Sequence, residues 1–204
     1  MLSPTKRIHF ESYVFHIWEN VYEPSEDSFL FAENLTVRHN DHVLDLGAGC
    51  GMLGIVAAVK AQEVVAVDIN PYAVRCAKAN AELNEVDDRM MFLQGDLFTP
   101  LCTEARFGVI LFNAPYLPAN LWKGTSWVER SWAGGKNGRE IIDRFISASK
   151  SHLLPRGRVM LLQSTLSSVD KTLGAFRAKG FSPRIVAEKK LPFFESIVLV
   201  EAKL

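Results

Sequence analysis

A ten-residue segment near the middle of the chain, FGVILFNAPY at positions 107–116, constrains the fold more than any other stretch. Its first six residues are almost continuously apolar, which is typical of a strand buried on both faces in the centre of a parallel sheet. The segment then ends in Asn113, Ala114, Pro115 and Tyr116. Pro115 has a fixed φ and no N–H to donate, and it holds Ala114 in an extended conformation. We therefore expect a stiff polar segment at the carboxyl end of a buried strand, where open α/β sheets bind their ligands.

Further apolar runs predict the rest of the sheet, with strands at residues 43–46, 64–67, 90–93, 159–162, 184–188 and 196–201. Helices are predicted after Ser25, over residues 52–61, after Asn70, and over residues 139–152 and 167–179. A short, helix-free connection joins the last two strands, which indicates a hairpin. The predicted fold class is α/β: a single doubly wound, Rossmann-like, mostly parallel seven-stranded sheet with one antiparallel strand and helices on both faces. Residues 1–21 are predicted to form an N-terminal cap segment, and residues 22–204 the domain itself.

Local signals place several helix ends. Ser25 is a candidate N-cap for a helix whose first turn carries Glu26 and Asp27, and whose buried side is predicted to be Phe29, Leu30, Ala32 and Leu35. Asn70 followed by Pro71 predicts another helix start. Ser167 and Asp170 have capping-box spacing, and Gly180 predicts the end of the same helix. Residues 155–157 are predicted to form a turn, and residues 117–138 a long functional loop that contains Trp122, Trp127 and Trp132.

Composition excludes some classes of protein. Lysine plus arginine and aspartate plus glutamate number 23 each in the 204 residues, so the chain lacks the surplus charge needed to grip a nucleic-acid backbone over a wide area. The longest apolar stretch, residues 52–59, is far short of a membrane span, and the N-terminus does not resemble a signal peptide. Cys50, Cys76 and Cys102 lack a CxxC pair, which argues against a disulfide framework and a zinc site. A cytoplasmic protein is the expectation.

The first three predicted strands end at or beside Asp45, Asp68 and Asp96, and the fourth ends at Asn113. Any single strand-end aspartate is most simply a helix cap or a turn former. Parallel strands place their carboxyl ends on the same edge of a sheet, so these four side chains are expected to lie along one edge. The series therefore predicts a ligand site there.

The turn after residues 43–46 is rich in glycine, and Gly49, Gly51 and Gly54 fit the dinucleotide pattern GxGxxG. Two features argue against a dinucleotide. Gly47 already makes the tight turn, so the matching glycines come one step too late. Asp45 also puts a carboxylate at the mouth of the turn, where it would repel a pyrophosphate.

A carboxylate at this place suits a cation or an amino group, and S-adenosylmethionine carries both a sulfonium and an α-amine but no phosphate. We expect Asp45 and the backbone of Gly47 and Gly49 to hold the methionine end of this cofactor. Asp68 is expected to pair with the ribose hydroxyls, and Asp96 with the Leu97 backbone to contact the adenine. Ser28 and its neighbours are expected to form one side of the cleft.

Residues 113–116 are the candidate catalytic segment. The Asn113 side-chain carbonyl and the Ala114 backbone carbonyl could together hold the NH2 of a planar group, an amide or a nucleobase, and Tyr116 offers a flat face for stacking. The plain alternative is a strand-to-loop turn in which Tyr116 only packs.

Several motifs resemble those of the class I methyltransferase fold: VLDLGAGCG at 43–51, VVAVDINPYAV at 64–74, GDLF at 95–98 and NAPY at 113–116. Three further segments make the resemblance closer: YEPSEDS at 22–28, GGKNGRE at 134–140 and LPFFESIVLVE at 191–201. Together they resemble the HemK-like protein-glutamine methyltransferases, and specifically the short archaeal and eukaryotic branch. The resemblance covers nearly the whole chain beyond residue 21.

The resemblance implies an S-adenosylmethionine-dependent enzyme that methylates the glutamine amide in the GGQ motif of a class I peptide release factor. It implies a small zinc-binding activator subunit as a partner. It also implies that Asn113 contacts both the cofactor and the substrate amide, and that the other cofactor residues are Ser28, Asp45, Gly47, Asp68, Asp96 and Leu97. Residues 113–116 match the Asn-Pro-Pro-Tyr of the family except that Ala114 replaces its first proline, which keeps the backbone carbonyl but removes some rigidity.

Three other functions remain open on the sequence. Adenine N6 methylation of DNA or RNA would also use an Asn-x-Pro-Tyr segment, with the flipped base stacked on Tyr116. Nucleic acid is the alternative partner, because Lys123, Arg130, Lys136 and Arg139 lie near this segment in the chain. A catalytically silent partner subunit and an NAD-dependent oxidoreductase are the remaining alternatives.

Overall fold

The computed structural model describes residues 5–119, 126–192 and 195–204. Two strands form an N-terminal hairpin, β1 (Lys6–Phe10) and β2 (Tyr13–Ile17). The main sheet contains β3 (His42–Leu46), β4 (Glu63–Asp68), β5 (Met90–Gln94), β6 (Phe107–Asn113), β7 (Leu153–Ser164), β8 (Ser182–Lys190) and β9 (Ser196–Lys203). The α-helices are α1 (Glu26–Glu33), α2 (Met52–Ala58), α3 (Pro71–Leu83), α4 (Trp127–Trp132), α5 (Glu140–Ser149) and α6 (Val169–Ala178).

The strands of the main sheet lie in the order β5–β4–β3–β6–β7–β9–β8. All neighbours pair in parallel except that β9 runs antiparallel to both β7 and β8. The predicted fold class, with one antiparallel strand in a seven-stranded sheet, is therefore confirmed. The predicted central place of residues 107–112 is confirmed as well, because β6 lies between β3 and β7.

The sheet is covered on both faces, which explains the continuous apolar runs of its central strands. Successive residues of β6 alternate between two hydrophobic clusters: Val109 packs with the cluster that includes Phe31 of α1, and Ile110 with the cluster that includes Phe145 of α5. Side chains from α2 and α3 complete the first cluster, and Phe176 of α6 contributes to the second. Burial of each such side chain stabilises the fold by about 1.5–3 kcal/mol.

The N-terminal hairpin lies against α3 through two asparagine side chains. Asn80 Oδ1 accepts from the His16 N–H at 2.8 Å, and Asn84 Oδ1 accepts from the Val14 N–H at 3.0 Å. Each side chain also donates from Nδ2 to the carbonyl of the same hairpin residue, at 3.0 Å and 2.7 Å. The segment predicted as a cap thus forms a hairpin fixed to α3, while the domain boundary at residue 21 stays a prediction and residues 1–4 lie outside the described part.

The predicted helix start at Asn70 is confirmed, since Asn70 Oδ1 accepts from the Tyr72 N–H at 2.9 Å and Pro71 is the first residue of α3. Gly180, with φ +85°, follows α6 as predicted. The predicted capping box of Ser167 and Asp170 is wrong. Ser167 Oγ donates to the Ser164 carbonyl at 2.8 Å and accepts from a glutamine side chain, so α6 begins two residues later, at Val169.

Four further predictions need correction. Ser25 precedes α1, but its side chain makes no capping hydrogen bond, and the buried side of α1 includes Phe31, which was not predicted, while Phe29 is only partly buried. Helix α2 ends at Ala58 rather than at residue 61. Residues 155–157, predicted as a turn, lie within β7, where the pairing with β6 shifts register and Arg156 has a φ of +62°.

The described residues carry no helix with the length and apolar character needed to cross a bilayer. Within the same residues, no group of three or more His, Cys, Asp or Glu side chains is arranged to hold a metal ion. The cysteines are free thiols: Cys50 and Cys76 are buried and Cys102 is exposed.

Candidate active site

A cavity of about 510 Å³ opens where β3, β4, β5 and β6 end. Its walls are the connections that follow these strands, at residues 47–50, 67–70, 95–97 and 112–117, together with parts of α1 and α4. This is the edge at which open α/β sheets bind ligands, and the volume is within the range of small-molecule sites. Of the four predicted strand-end side chains, Asp68, Asp96 and Asn113 line this one cavity, and Asp45 lies behind its wall.

The glycine turn after β3 uses its N–H groups internally. The N–H groups of Gly47 and Ala48 donate to the Val67 carbonyl at 2.8 and 3.1 Å, and the Gly49 N–H donates to Asp68 Oδ2 at 2.9 Å. Gly47 and Gly49 have φ values of +66° and +57°, in the left-handed region that favours glycine. Because these three donors are occupied, Gly47, Ala48 and Gly49 offer no free N–H group to a phosphate, which argues against a pyrophosphate ligand at this point of the turn. Contacts of Gly47 and Gly49 with a cofactor stay a prediction.

Asp45 is 1% exposed, and its Oδ2 accepts from the Gly54 N–H at 2.9 Å. A Cβ at Gly54 would lie 2.9 Å from the same oxygen, so the lack of a side chain permits this contact. Burial raises the pKa of Asp45 to about 7; the Gly54 N–H opposes the rise and the nearby Asp68 adds to it. Asp45 was expected at the mouth of the turn, but it is buried and does not line the cavity, and its role toward a cofactor stays a prediction.

Asp68, the last residue of β4, lines the cavity. Its two carboxylate oxygens accept from the N–H groups of Gly49 and Asn70, at 2.9 and 2.8 Å. Burial raises the pKa of Asp68, and these two N–H groups oppose the rise. The side chain is thus held in one orientation at the cavity wall, and its contact with ribose hydroxyls stays a prediction.

Asp96 and Leu97 follow β5 and also line the cavity. Asp96 is 39% exposed at its side chain, and its Oδ2 accepts from Arg144 Nη2 of α5 at 2.6 Å. Leu97 has a φ of +50°, which turns the chain sharply at this point. Sequence reasoning missed Arg144, since nothing in its local pattern indicates a partner 48 residues away. The contact of Asp96 and Leu97 with adenine stays a prediction.

Asp27 of α1 forms hydrogen bonds with several elements of the site. Sequence reasoning named this residue only as an acid that is favourable in the first turn of a helix. It is 6% exposed and lines the cavity beside Ser28. Its carboxylate accepts from the Ser28 N–H at 2.6 Å and Oγ at 3.1 Å, and from the Tyr22 hydroxyl at 3.1 Å. From β6 and the following segment it accepts from Asn113 Nδ2 at 3.2 Å and the Tyr116 hydroxyl at 3.3 Å. The sequence signal that could have identified Asp27 as a site residue is its place in the YEPSEDS segment, residues 22–28.

Asn113 is the last residue of β6, and only the NH2 of its side-chain carboxamide forms hydrogen bonds with described residues. Nδ2 donates to Asp27 and, at 3.4 Å, to Ser28 Oγ. Its Oδ1 is buried and has no hydrogen-bond partner among the described residues. The next residue, Ala114, donates its N–H to the Leu162 carbonyl at 3.2 Å and also lines the cavity. The site therefore presents an unused, buried acceptor, which is unusual because buried polar atoms are nearly always paired.

Tyr116 lines the cavity with its hydroxyl fixed on Asp27. Burial raises the pKa of Tyr116, and the negative charge of Asp27 raises it further, so the phenol remains a neutral donor. The same two causes raise the pKa of Tyr22. Pro115 also lines the cavity. Stacking of a substrate on Tyr116 stays a prediction, as does the catalytic role of residues 113–116.

The glycine-rich run at residues 134–138 packs directly behind this segment. The Gly134 N–H donates to the Leu117 carbonyl at 2.8 Å, and a Cβ at Gly134 would lie 2.6 Å from the Pro115 carbonyl oxygen. Gly138 has a φ of +71°, and a Cβ there would overlap the Tyr116 carbonyl. These two glycines thus allow the backbone of the run to support the backbone of the candidate catalytic segment at close range.

Part of the predicted long loop is helix α4, whose residues Trp127 and Trp132 line the cavity. Ser126 and Glu129 form a capping box at its start, a local signal that sequence reasoning overlooked. Trp122 and Lys123 lie outside the described residues.

The cations expected near the loop are not equivalent. The Arg130 guanidinium lies 5.0 Å from the centre of the Trp127 ring, and Lys136 is exposed. Arg139 is 4% exposed and bonds to the carbonyls of Ser167 and Ser168 and to Asp143. The suggestion that Arg139 contacts nucleic acid is therefore wrong, because its donors are occupied in holding α5 to the start of α6.

Comparisons with known proteins place these features in a family. Residues 22–126 match the family model described as the methyltransferase small domain. A protein of Methanocaldococcus jannaschii, provisionally named a protein N5-glutamine methyltransferase, is 42% identical over 194 residues, which is 94% of this chain and 96% of that protein. The human methyltransferase HEMK2 is 30% identical over 177 residues, 80% of each chain.

One solved structure of similar fold is the E. cuniculi Mtq2–Trm112 complex, whose description states that it methylates the translation termination factor eRF1. The TM-score is 0.69 at 24% identity, and the match covers 90% of this chain and 98% of that chain. At this identity the likeness establishes the methyltransferase fold.

Proposed function

Because this chain belongs to the methyltransferase small domain family, we propose that it transfers a methyl group from S-adenosylmethionine to a side-chain amide. The proposed acceptor is the glutamine of the GGQ motif in a class I peptide release factor. The names of the M. jannaschii relative and the reported action of Mtq2 on eRF1 support this choice.

The observation that carries the proposal is the buried, unpartnered Oδ1 of Asn113 in the wall of the cavity. An acceptor in that position selects a ligand group that donates N–H. The Ala114 carbonyl, one residue on, can accept a second N–H from the same NH2. A primary amide has two N–H bonds in one plane, so it satisfies both acceptors at once.

The residues at the cavity fit S-adenosylmethionine. Asp27 and Asp68 in the cavity wall, and Asp45 behind it, form no salt bridge with any described residue, and the N–H groups of Gly47, Ala48 and Gly49 are occupied. Carboxyl groups without a cationic partner at or behind a cavity wall suit a cofactor that carries positive charge and no phosphate. Asp68, Asp96, Leu97, Ser28 and the glycine turn would hold it.

The proposed chemistry depends on position more than on acid–base catalysis. S-adenosylmethionine supplies an electrophilic methyl group and leaves as a neutral thioether. An amide nitrogen is a poor nucleophile because its lone pair is delocalised, so Asn113 and Ala114 act by aiming it at the methyl carbon. The nitrogen becomes positively charged as the new bond forms, which strengthens both N–H···O bonds, and it then loses one proton to water.

The remaining parts of the proposal concern where and with what the chain works. We propose a small activator subunit as a partner, by analogy with the Mtq2–Trm112 complex, and a cytoplasmic location in keeping with a substrate that acts in translation. Whether that subunit binds zinc is a further element of the proposal. Co-purification of a candidate subunit with this chain, followed by metal analysis, tests both points.

The direct test is mass spectrometry of a release factor incubated with this chain and S-adenosylmethionine. We expect one added methyl group on the GGQ glutamine, and none on a release factor with glutamate at that position, because glutamate lacks the NH2. Asn113→Ala should lower turnover about a hundredfold or more. Its affinity for S-adenosylmethionine should stay within about fivefold of the original, about 1 kcal/mol.

The same methylation assay, together with binding calorimetry, distinguishes the alternatives. Methylation of adenine in DNA or RNA, with an unmodified release factor, would replace the proposal by the nucleic-acid function. Failure to bind S-adenosylmethionine in calorimetry would indicate a silent subunit, and binding of a nicotinamide cofactor would revive the oxidoreductase.

A further inference from the structure

Asp27 accepts hydrogen bonds from five donor groups, which come from two separate parts of the chain. Tyr22 and Ser28 are its neighbours around the start of α1, whereas Asn113 and Tyr116 are 86 and 89 residues away. A buried carboxylate with this many donors is fixed in orientation. It is thus a rigid link between α1 and the segment proposed to bind the substrate.

The link determines which way the Asn113 carboxamide points. A carboxylate can only accept hydrogen bonds, so the half of the carboxamide that faces Asp27 must be the NH2. The carbonyl oxygen, Oδ1, is therefore directed away from Asp27, and it has no hydrogen-bond partner among the described residues. With a neutral amide or an apolar residue in place of Asp27, either orientation of Asn113 would be allowed, and only one of them leaves Oδ1 on the side away from residue 27.

We propose that Asp27 is a positioning residue that fixes Asn113 with its Oδ1 toward the substrate NH2. This inference rests on the proposed function and adds a residue to it. The charge of Asp27 also polarises the carboxamide through its NH2, which makes Oδ1 a stronger acceptor as positive charge develops on the substrate nitrogen.

Asp27 does not act as a general base in this arrangement. Its Oδ1 accepts from Ser28 and Tyr22, and its Oδ2 accepts from Tyr22, Asn113 and Tyr116. Both oxygens are therefore occupied by groups that remain donors at neutral pH, the two phenols included, because their pKa values are raised. A substrate proton would have to displace one of these bonds.

The test compares Asp27→Asn with Glu26→Gln. Glu26 is the adjacent acid in the first turn of α1, but it is exposed and contacts Lys189. Both variants remove one negative charge from the same helix end. We expect Asp27→Asn to lower kcat about 10- to 100-fold, the range known for removing a hydrogen-bond partner that orients a metal ligand. Glu26→Gln should stay within about twofold, the effect of an exposed pair.

A double variant separates positioning from general damage to the fold. If Asp27 acts through Asn113, then Asp27→Asn should cause no further loss of kcat in a protein that already carries Asn113→Ala. The affinity of each single variant for S-adenosylmethionine should remain within about fivefold of the original. Losses that multiply in the double variant, or a kcat equal to that of the original protein in Asp27→Asn, would overturn the proposal.

A measurement without substrate keeps the inference distinct from the proposed function. The Asn113 side-chain NH2 should exchange slowly with solvent in the 15N-labelled protein and faster in Asp27→Asn, whereas Glu26→Gln should leave its exchange unchanged. Slow exchange together with an unmodified release factor would refute the substrate and retain the positioning role. Equal exchange in the original protein and Asp27→Asn would refute the positioning role whatever the substrate.

Discussion

We call the side of the main sheet where the parallel strands begin its amino edge, and the side where they end its carboxyl edge. Acidic side chains are buried at both, but the groups that surround these side chains differ. At the edge where the parallel strands begin, Arg158 Nη2 lies 3.1 Å from Asp41 Oδ2, and its Nε lies 3.8 Å from Glu201 Oε1. Arg184 and Lys203 also contact Glu201, at 2.7 and 3.3 Å. Each buried acid there has a cation supplied by the chain itself.

At the opposite edge, where the strands end, the buried Asp27 and Asp45 and the partly buried Asp68 have neutral partners. Asp27, Asp45 and Asp68 accept from N–H and O–H groups, and none of them forms a salt bridge with a described residue. Asp96 is the exception at this cavity: its side chain is 39% exposed and has Arg144 as its partner.

The pKa values follow this difference. Burial alone would raise the pKa of Glu201, but its hydrogen bonds and charge interactions with Arg184 and Lys203 lower it below its ordinary value. Burial of Asp45, which has no cation, raises its pKa to about 7. A cation supplied by the chain favours the ionised carboxylate, whereas burial without one disfavours it, and a cationic ligand beside the carboxyl would favour ionisation again.

The largest effect should come from removing the cation that the first edge depends on. Arg158→Met leaves Asp41 and Glu201 without their shared partner, so we expect the free energy of unfolding to fall by about 5 kcal/mol, the upper end for a broken buried pair. Arg158→Lys, which keeps the charge but loses the planar fork, should show a smaller loss. Urea unfolding of both variants measures this. Equal losses, or none, would show that charge compensation is not what this edge provides.

The next effect is a pH dependence at the cavity edge. The pKa of Asp45 is 3.8 ordinarily and about 7 in the folded protein, so the folded state binds a proton that the unfolded state releases between these values. The original protein should therefore lose stability as the pH rises from about 4 to about 7. Asp45→Asn cannot titrate and keeps an acceptor for Gly54, so it should lack the part of this loss that Asp45 causes, while the part from Asp68, whose pKa burial also raises, remains in both proteins.

At pH 8 we expect Asp45→Asn to be more stable than the original protein by at most about 4 kcal/mol, from a shift of about 3 pKa units. The two proteins should converge near pH 4. Urea unfolding across this pH range in the absence of cofactor provides the measurement. If the free energy of unfolding changes with pH in the same way in both proteins, folding does not raise the pKa of Asp45. Calorimetry with S-adenosylmethionine on the same variant tests whether Asp45 contributes to cofactor binding.

Sequence reasoning succeeded where the physical cause is local. The apolar run of residues 107–112 identified β6 because a strand covered on both faces must be apolar along its length. Asn70 marked the start of α3 because a cap acts within its own helix turn. The polar strand ends located the cavity because parallel strands end on one edge of a sheet.

Sequence reasoning failed where the cause is a contact between distant parts of the chain. The bond from Asn113 to Asp27 spans 86 residues, and the pair of Arg158 with Asp41 spans 117, so no spacing rule indicates either. Local signals also compete. Ser167 matched a capping box, but in the fold its hydroxyl bonds to the end of β7 and the helix begins later.

The smallest effect should come from removing Arg184, the most exposed of the cations around Glu201. The Arg184 side chain is 65% exposed, although its Nη2 lies 2.7 Å from Glu201 Oε2. Exposed ion pairs contribute little, and Lys203 would still contact the same oxygen, so Arg184→Ala should lower the free energy of unfolding by less than about 1 kcal/mol. Urea unfolding beside Arg158→Met measures the difference within one cluster. A loss as large as that of Arg158→Met would mean that the number of cations around Glu201, and not their burial, stabilises this edge.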